Sequence, residues 1–151
     1  MEPREWIEST FTRLRGASTY RQVSPVDQDY NCVALAASDT DRWWWPAGPF
    51  GGGTYWPAGA PNETTIAAFI AAFESLGYVV CADGAREPGY EKVAIYHNDG
   101  EPTHAARQHP ELDAWLSKLG MGYDIEHDHL DGVGGEAGYG EVAVFLRRPR
   151  E

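Results

Sequence analysis

The chain has little cysteine. Its 151 residues contain only two, and neither lies in a CxxC or CxxH motif. Structural zinc sites normally use such closely spaced ligands, so no metal site is predicted on this basis. Two isolated cysteines in a cytosolic chain of this size are expected to stay reduced. Cys32 and Cys81 are therefore predicted to be free thiols.

Long hydrophobic runs are also missing. No apolar run approaches the roughly 20 residues that cross a bilayer. The opening residues, MEPREWIEST, have neither the basic region nor the apolar region of a secretory signal. We therefore expect no membrane partner and a cytoplasmic location, with export by a non-Sec route as the alternative.

Basic residues are scarce as well. The 12 Lys and Arg residues are outnumbered by 23 Asp and Glu residues, which gives a formal net charge of -11. Such a field repels phosphate backbones, and the one basic cluster, FLRRPRE, is a short terminal segment. Neither a GxGxxG motif nor a P-loop occurs. The sequence therefore predicts no nucleic-acid partner and no cofactor.

Helical spacing of apolar residues is present in the first half of the chain. It predicts one helix in EPREWIESTFTRLRG, which has apolar residues at Trp6, Ile7, Phe11 and Leu14 and ends at Gly16, and a second over about 30–37. A third lies in NETTIAAFIAAFESLGY and ends at Gly77. The expected N-caps are Asp27 or Asp29 for the second helix and Asn62 or Thr64 for the third.

The second half is typical of an antiparallel sheet. YVVCA is a first strand, in which Cys81 is expected to be a small buried hydrophobe. KVAIYH and EPTHAARQ form a hairpin at the turn NDG, and AWLSKLG and YGEVAVFLRR add strands. The stretch DIEHDHLDGVGGEAG is expected to be a polar connection. This order predicts an α+β fold in a single domain, with a helix and connector over 1–28 and a core over 29–147.

Four of the six tryptophans lie in one segment, DRWWWPAGPFGGGTYWPAGAP, where proline and glycine prevent regular structure. Three interpretations are open. Trp43, Trp45 and Trp56 could pack between the helices and seal the core. The segment could instead form a wall of a substrate cleft, because it directly follows the second helix. Large flat side chains also suit the binding of sugar rings or an extended peptide.

Cys32 begins the second helix in DYNCVALA. A helix N-terminus favours a thiolate and offers N–H groups for an oxyanion, so Cys32 is a candidate nucleophile; the alternative is a packing residue. A base should come from another element, and His104 in EPTHAARQ is the candidate. Strand alternation would place Ala106 and Gln108 on the face of His104 and Ala105 on the other face. The alternative is a histidine that points to solvent.

A helix-start cysteine followed by VAIYHNDGEPTHAARQ and AWLSKLG resembles the papain-like superfamily. Within it, the NlpC/P60 type and small uncharacterised bacterial papain-like domains are the most similar. The resemblance covers about residues 30–147 and implies a papain-like α+β architecture, with Cys32 as nucleophile and His104 as base. Typical members carry the histidine before a VGIY-type strand, where this chain has Lys92.

The third catalytic residue is left open between several side chains. The candidates to orient the base are Ser117, Lys118, Asp124, Glu126 and His127, of which a strand neighbour or His127 is favoured. The EHDH segment could instead hold a metal through His127 and His129, although such segments are usually solvated connections. The residues expected to contact the substrate are Asn31, Trp44, Trp45, Trp56, Gln108 and Ser117.

Two functions are therefore predicted. The first is a small cysteine hydrolase or acyl transferase that acts on an amide or isopeptide bond of a peptide or other amide-containing substrate. The second is a catalytically inactive papain-like module that binds a protein partner through the Trp-rich segment.

Overall fold

The computed structural model describes residues 3–14, 20–23, 29–46, 54–119, 123–135 and 138–150. Three α-helices form in this part of the chain: α1 (Pro3–Thr10), α2 (Cys32–Ala36) and α3 (Ile66–Glu74). Two 3-10 helices, Thr12–Leu14 and Leu130–Val133, add single turns. None of the described helices is long and apolar enough to cross a membrane.

Seven strands form one antiparallel sheet in the order β1-β6-β5-β4-β3-β7-β2. Their bounds are Tyr20–Gln22 (β1), Val79–Cys81 (β2), Tyr90–Asn98 (β3), Glu101–Gln108 (β4), Trp115–Lys118 (β5), Asp124–His127 (β6) and Glu141–Pro149 (β7). Helices and an antiparallel sheet in one chain confirm the predicted α+β class. The β3–β4 hairpin also forms as predicted, with Asp99 and Gly100 at φ values of 53° and 86° in its turn.

The prediction of a polar connection over DIEHDHLDGVGGEAG was wrong at its start, because Asp124–His127 is strand β6. All four residues of β6 are buried, which their polar character does not indicate. Their polar atoms find partners inside the protein: Tyr30 donates a hydrogen bond to Asp124 at 2.5 Å, and Arg21 forms an ion pair with Glu126. Satisfied carboxylates can occupy a buried strand that an apolar pattern would not predict.

Helices cover both faces of the sheet. Val93, Ile95 and Ala105 pack in one core cluster with α2 and α3. Ala94, Tyr96 and Ala106 pack in a second cluster with α1 and the two 3-10 helices. Successive residues of a strand point to opposite faces, so β3 and β4 contribute to both clusters. The strands at the centre of the sheet are therefore shielded from solvent on both sides.

Candidate functional site

Cys32 begins α2, which packs on β4 and β5, and its side chain is 7% exposed. The pairing of β4 with β5 includes only Arg107 and Gln108 of β4, so the two strands separate beyond that point. Helix α2 contacts both of these strands. The position of Cys32 at a helix start was predicted from the sequence; the gap between the strands was not.

Backbone N–H groups of β4 point toward β5 in the region where the two strands are not paired. His109 donates its N–H to the carbonyl of Ala114 at 2.8 Å, on the β5 side of the chain. Backbone N–H groups alternate in direction along a strand, so the N–H of Ala105 points to the same side. With no strand residue opposite it, this N–H is directed at the Cys32 sulfur. The thiol therefore lies at the edge of β4, next to the residue that follows His104.

The thiol is not activated in this resting structure. Burial raises the pKa of Cys32 to about 11, although the N–H groups of Ala105, Val33 and Cys32 itself act in the opposite direction. Helix α2 has only five residues, so its dipole is too small to offset the loss of solvation. At neutral pH the sulfur therefore carries its proton.

A chain of hydrogen bonds runs from His104 across β5 to β6. His104 Nε2 lies 2.9 Å from Ser117 Oγ, which lies 2.8 Å from His127 Nε2. His127 Nδ1 is in turn 2.9 Å from the carbonyl oxygen of His129. The side chains of His104, Ser117 and His127 are all fully buried. The structure thus brings His104, Ser117 and His127 together, although the first and the last are 23 positions apart in the sequence.

His104 lies on the face of β4 that carries Ala106, as alternation predicts, and its ring contacts Tyr96. Its Nδ1 atom has no hydrogen-bond partner among the described residues. Burial, and to a smaller extent His127, lowers the pKa of His104 well below its usual range. The imidazole is therefore neutral at pH 7 and keeps one nitrogen free.

Tyr139 is a site residue that the sequence did not reveal. Its ring stacks on His104, with centroids 3.9 Å apart and planes 3° from parallel. Burial raises the pKa of Tyr139, and the nearby Cys32 adds to the rise. Tyr139 is thus close to both the thiol and the imidazole. From the sequence it was only the first residue of a predicted strand, and no motif distinguished it.

His127 of the EHDH segment forms hydrogen bonds within the protein core. His127 binds Ser117 and the His129 backbone, and burial lowers the pKa of His127 to about 4. No group of three or more His, Cys, Asp or Glu side chains suited to a metal ion occurs in the described ranges. The other candidates to orient the base have separate partners: Lys118 lies over the Tyr30 ring, Asp124 binds Tyr30, and Glu126 binds Arg21.

Two further polar side chains bind elsewhere. Gln108 donates to the carbonyl of Gly84 at 2.9 Å. Lys92, at the position of the histidine in typical NlpC/P60 members, lies 2.9 Å from the Glu87 carboxylate and donates to the Asp83 carbonyl at 2.9 Å. Its ammonium group is thus held by an ion pair and a backbone oxygen. Cys81 is half-buried rather than part of the core, and its thiol donates to the Asp83 carbonyl at 3.4 Å.

Asn31 caps α2, so the prediction that Asp29 is the cap was wrong. The other predicted cap, Asp27, lies outside the described residues. The Asn31 side chain accepts the N–H groups of Ala34 at 3.2 Å and Trp44 at 3.0 Å, and donates to the Trp44 carbonyl at 2.9 Å. One amide therefore positions both Cys32 and the Trp-rich segment. The cap of α3 is Thr65 rather than Asn62 or Thr64.

Replacing Asn31 by alanine is expected to cost about 2 kcal/mol of unfolding free energy, because three buried backbone groups lose their partner. Thr65→Ala is the matched control, since Thr65 caps α3 through one bond to the N–H of Ala68 at 3.1 Å. It should cost about 1 kcal/mol. Urea denaturation of both variants measures the difference, and equal costs would refute the double role of Asn31.

Of the four tryptophans in the Trp-rich segment, Trp44 is buried, and Trp43, Trp45 and Trp56 are half-buried. Trp44 is 3% exposed and donates its indole N–H to Asp39 at 2.9 Å. Trp45 and Trp56 contact the ring of Phe69 on α3, with centroids 5.3 and 5.0 Å away. Residues 47–53 of the segment lie outside the described residues. The contacts with Phe69 favour the packing interpretation for Trp45 and Trp56, and Trp44 is buried as well.

A family model described as "Domain of unknown function (DUF7689)" matches residues 21–147, which is most of the chain. No curated protein and no solved structure matches the chain.

Proposed function

The chain belongs to the DUF7689 domain family, and from the surroundings of Cys32 we propose that it is a small cysteine hydrolase or acyl transferase with a papain-like architecture. The substrate is an amide or isopeptide bond. Cys32 is the nucleophile and His104 is the base. A cysteine at the start of a helix, packed against an antiparallel sheet that carries the histidine, is the arrangement that the resemblance to papain-like enzymes implies.

One observation carries the proposal. His104 is held by a buried hydrogen-bond chain through its Nε2 atom, and its Nδ1 atom lacks a partner among the described residues. A nucleophile needs a base that a third group orients. Cys32 approaches the same strand at the neighbouring residue, Ala105, whose side chain lies on the opposite face of the sheet from His104, and no hydrogen bond joins the thiol to His104 Nδ1. Tyr139, which stacks on His104 and whose pKa is raised by Cys32, links the two side chains.

The mechanism starts from a neutral pair. The thiol and the imidazole are both uncharged at pH 7, because burial raises the pKa of Cys32 to about 11 and lowers that of His104. In the proposed mechanism the thiol and His104 Nδ1 come within hydrogen-bond reach when substrate binds, and His104 removes the thiol proton as the sulfur attacks the carbonyl carbon. It returns that proton to the leaving amine when the C–N bond breaks. Water, or an acceptor amine, then cleaves the thioester and restores the thiol.

A small acyl donor, p-nitrophenyl acetate, tests the proposal without knowledge of the substrate. Attack by a thiol forms an acetyl thioester and releases p-nitrophenolate. Peptide mass spectrometry then measures acetylation of Cys32 and, as an internal control, of Cys81, which is less buried. We expect Cys32 to react faster despite its burial. His104→Ala should slow Cys32 by about 100-fold or more and leave Cys81 unchanged.

The opposite pattern would refute catalysis. If Cys81 reacts and Cys32 does not, or if His104→Ala has no effect on Cys32, the thiol is a packing residue. Burial of Cys32 is the observation that favours this alternative, a papain-like module that binds a partner without catalysis. Trp44 is buried, and Trp45 and Trp56 contact Phe69 and are half-buried, so this module would have to bind through the exposed parts of Trp45 and Trp56 or through other residues of the Trp-rich segment.

A further inference from the structure

The hydrogen-bond chain behind His104 has a direction. Its last member is the carbonyl oxygen of His129, 2.9 Å from His127 Nδ1. A carbonyl oxygen only accepts hydrogen bonds, so His127 Nδ1 must carry a hydrogen. A neutral imidazole has one N–H and one bare nitrogen, so His127 Nε2 is bare and accepts. Burial keeps His127 neutral at pH 7, with its pKa lowered to about 4.

The same order of donors and acceptors continues through Ser117. Its hydroxyl has one hydrogen, and the bare Nε2 of His127, 2.8 Å away, takes it. The Ser117 oxygen is then left as an acceptor toward His104 Nε2 at 2.9 Å. His104 must therefore carry its hydrogen on Nε2. Its Nδ1 is the bare nitrogen, the same atom that has no partner among the described residues.

We propose that Ser117 and His127 are positioning residues that hold His104 in the tautomer with Nε2 protonated, which leaves Nδ1 bare as the proton acceptor that the proposed function assigns to His104. The positioning role rests on the proposed function, whereas the tautomers follow from the hydrogen-bond geometry alone. The backbone carbonyl of His129 sets the direction for the whole chain. Protonation of His104 at Nδ1 leaves its Nε2–H bond to Ser117 in place, so the chain is compatible with both protonation states.

Burial makes the arrangement selective. His104, Ser117 and His127 each have no exposed surface, so water does not offer a competing donor or acceptor. In the other tautomer of His104, two bare nitrogens would face the one hydroxyl hydrogen of Ser117, and one buried acceptor would lose its partner. A lost hydrogen bond of this kind is costly in a buried site.

Nitrogen NMR of protein labelled with 15N-histidine tests the tautomers directly, because protonated and bare ring nitrogens differ strongly in chemical shift. The spectra are recorded near neutral pH, and His104→Gln and His127→Gln assign the signals. We expect opposite tautomers: Nε2–H on His104 and Nδ1–H on His127. The same tautomer on both rings would overturn the proposal.

Ser117→Ala removes the link between the rings, and Ser117→Thr keeps the hydroxyl as the matched control. In Ser117→Ala we expect a mixture of His104 tautomers and acetylation of Cys32 by p-nitrophenyl acetate slowed by about tenfold or more, since a wrong tautomer disables a base. Ser117→Thr should retain the single tautomer and most of the rate. If Ser117→Ala mixes the tautomers without slowing Cys32, the positioning role is refuted.

The two measurements separate this inference from the proposed function. If the two histidines have opposite tautomers but Cys32 does not react, the hydrogen-bond chain is correctly described. The proposed function is then wrong, and the positioning role with it. If Cys32 reacts but the two histidines have the same tautomer, the proposed function is supported and the proposed direction of the hydrogen-bond chain is refuted.

Discussion

Lowering the pH from about 6.5 to about 4 is expected to remove about 3 kcal/mol of unfolding free energy through His127 alone, and more through His104. Both imidazoles are buried and neutral in the folded protein. Burial lowers the pKa of His127 to about 4, and that of His104 also lies well below its usual value. Protonation of His127 in the folded state would put a hydrogen on Nε2, which is the acceptor for the Ser117 hydroxyl, and protonation of His104 would place a charge in a buried site.

The sign follows from proton binding. Between the pKa of the folded state and that of the unfolded state, about 6.5, the unfolded chain binds more protons. The free energy of unfolding therefore rises with pH across this window and levels off above it. Each histidine contributes a slope of up to about 1.4 kcal/mol per pH unit. The carboxyl groups of Asp83 and Glu87 have lowered pKa values, so their contributions are lost at still lower pH.

Urea denaturation at a series of pH values from about 7 to about 4.5 measures this slope. His127→Gln is the test variant: it removes one titrating group, so the slope should fall by up to about 1.4 kcal/mol per pH unit, whatever the variant costs at pH 7. An unchanged slope would show that His127 titrates normally. In that case the buried neutral chain described above does not exist in solution.

Phe69→Ala is expected to cost about 4 kcal/mol of unfolding free energy and to change the tryptophan fluorescence of the folded protein. Phe69 on α3 is fully buried, and its ring supports both Trp45 and Trp56. Truncation of a buried phenylalanine removes apolar contacts and leaves a cavity. Both indoles lose their aromatic neighbour, so their emission should shift toward that of solvent-exposed tryptophan.

Phe73→Ala is the matched control. Phe73 lies one turn further along α3, is equally buried, and contacts the ring of Tyr78 with centroids 5.7 Å apart. It should cost a similar amount in urea denaturation but leave the native emission nearly unchanged. If the two variants give the same emission, Trp45 and Trp56 are not held by Phe69, and the Trp-rich segment is free to act as a binding surface.

Local patterns explain which parts of the fold could be predicted. The sequence EPTHAARQ forms β4 with the predicted bounds, because alternation and the Asp99–Gly100 turn act over a few residues. The start of α2 near Cys32 was also predicted. Its cap was assigned to the wrong residue, because Asn31 is chosen over Asp29 by its bonds to Trp44, which lies 13 residues away. Strand β6 was missed because distant residues satisfy its carboxylates: Tyr30, just before α2, donates to Asp124, and Arg21 on β1 forms an ion pair with Glu126.

The sequence by itself determined the α+β class, the helix that begins at Cys32, the strand that carries His104 and the histidine and serine that are candidates to orient it. These features depend on spacing, turn chemistry and composition within short segments. Only the tertiary structure decided that Ser117 and His127 form one chain with His104, that Tyr139 stacks on its ring, and that the thiol lies protonated in a gap between β4 and β5. Those features depend on strand register and on burial, which arise only when distant segments of the chain meet and exclude water.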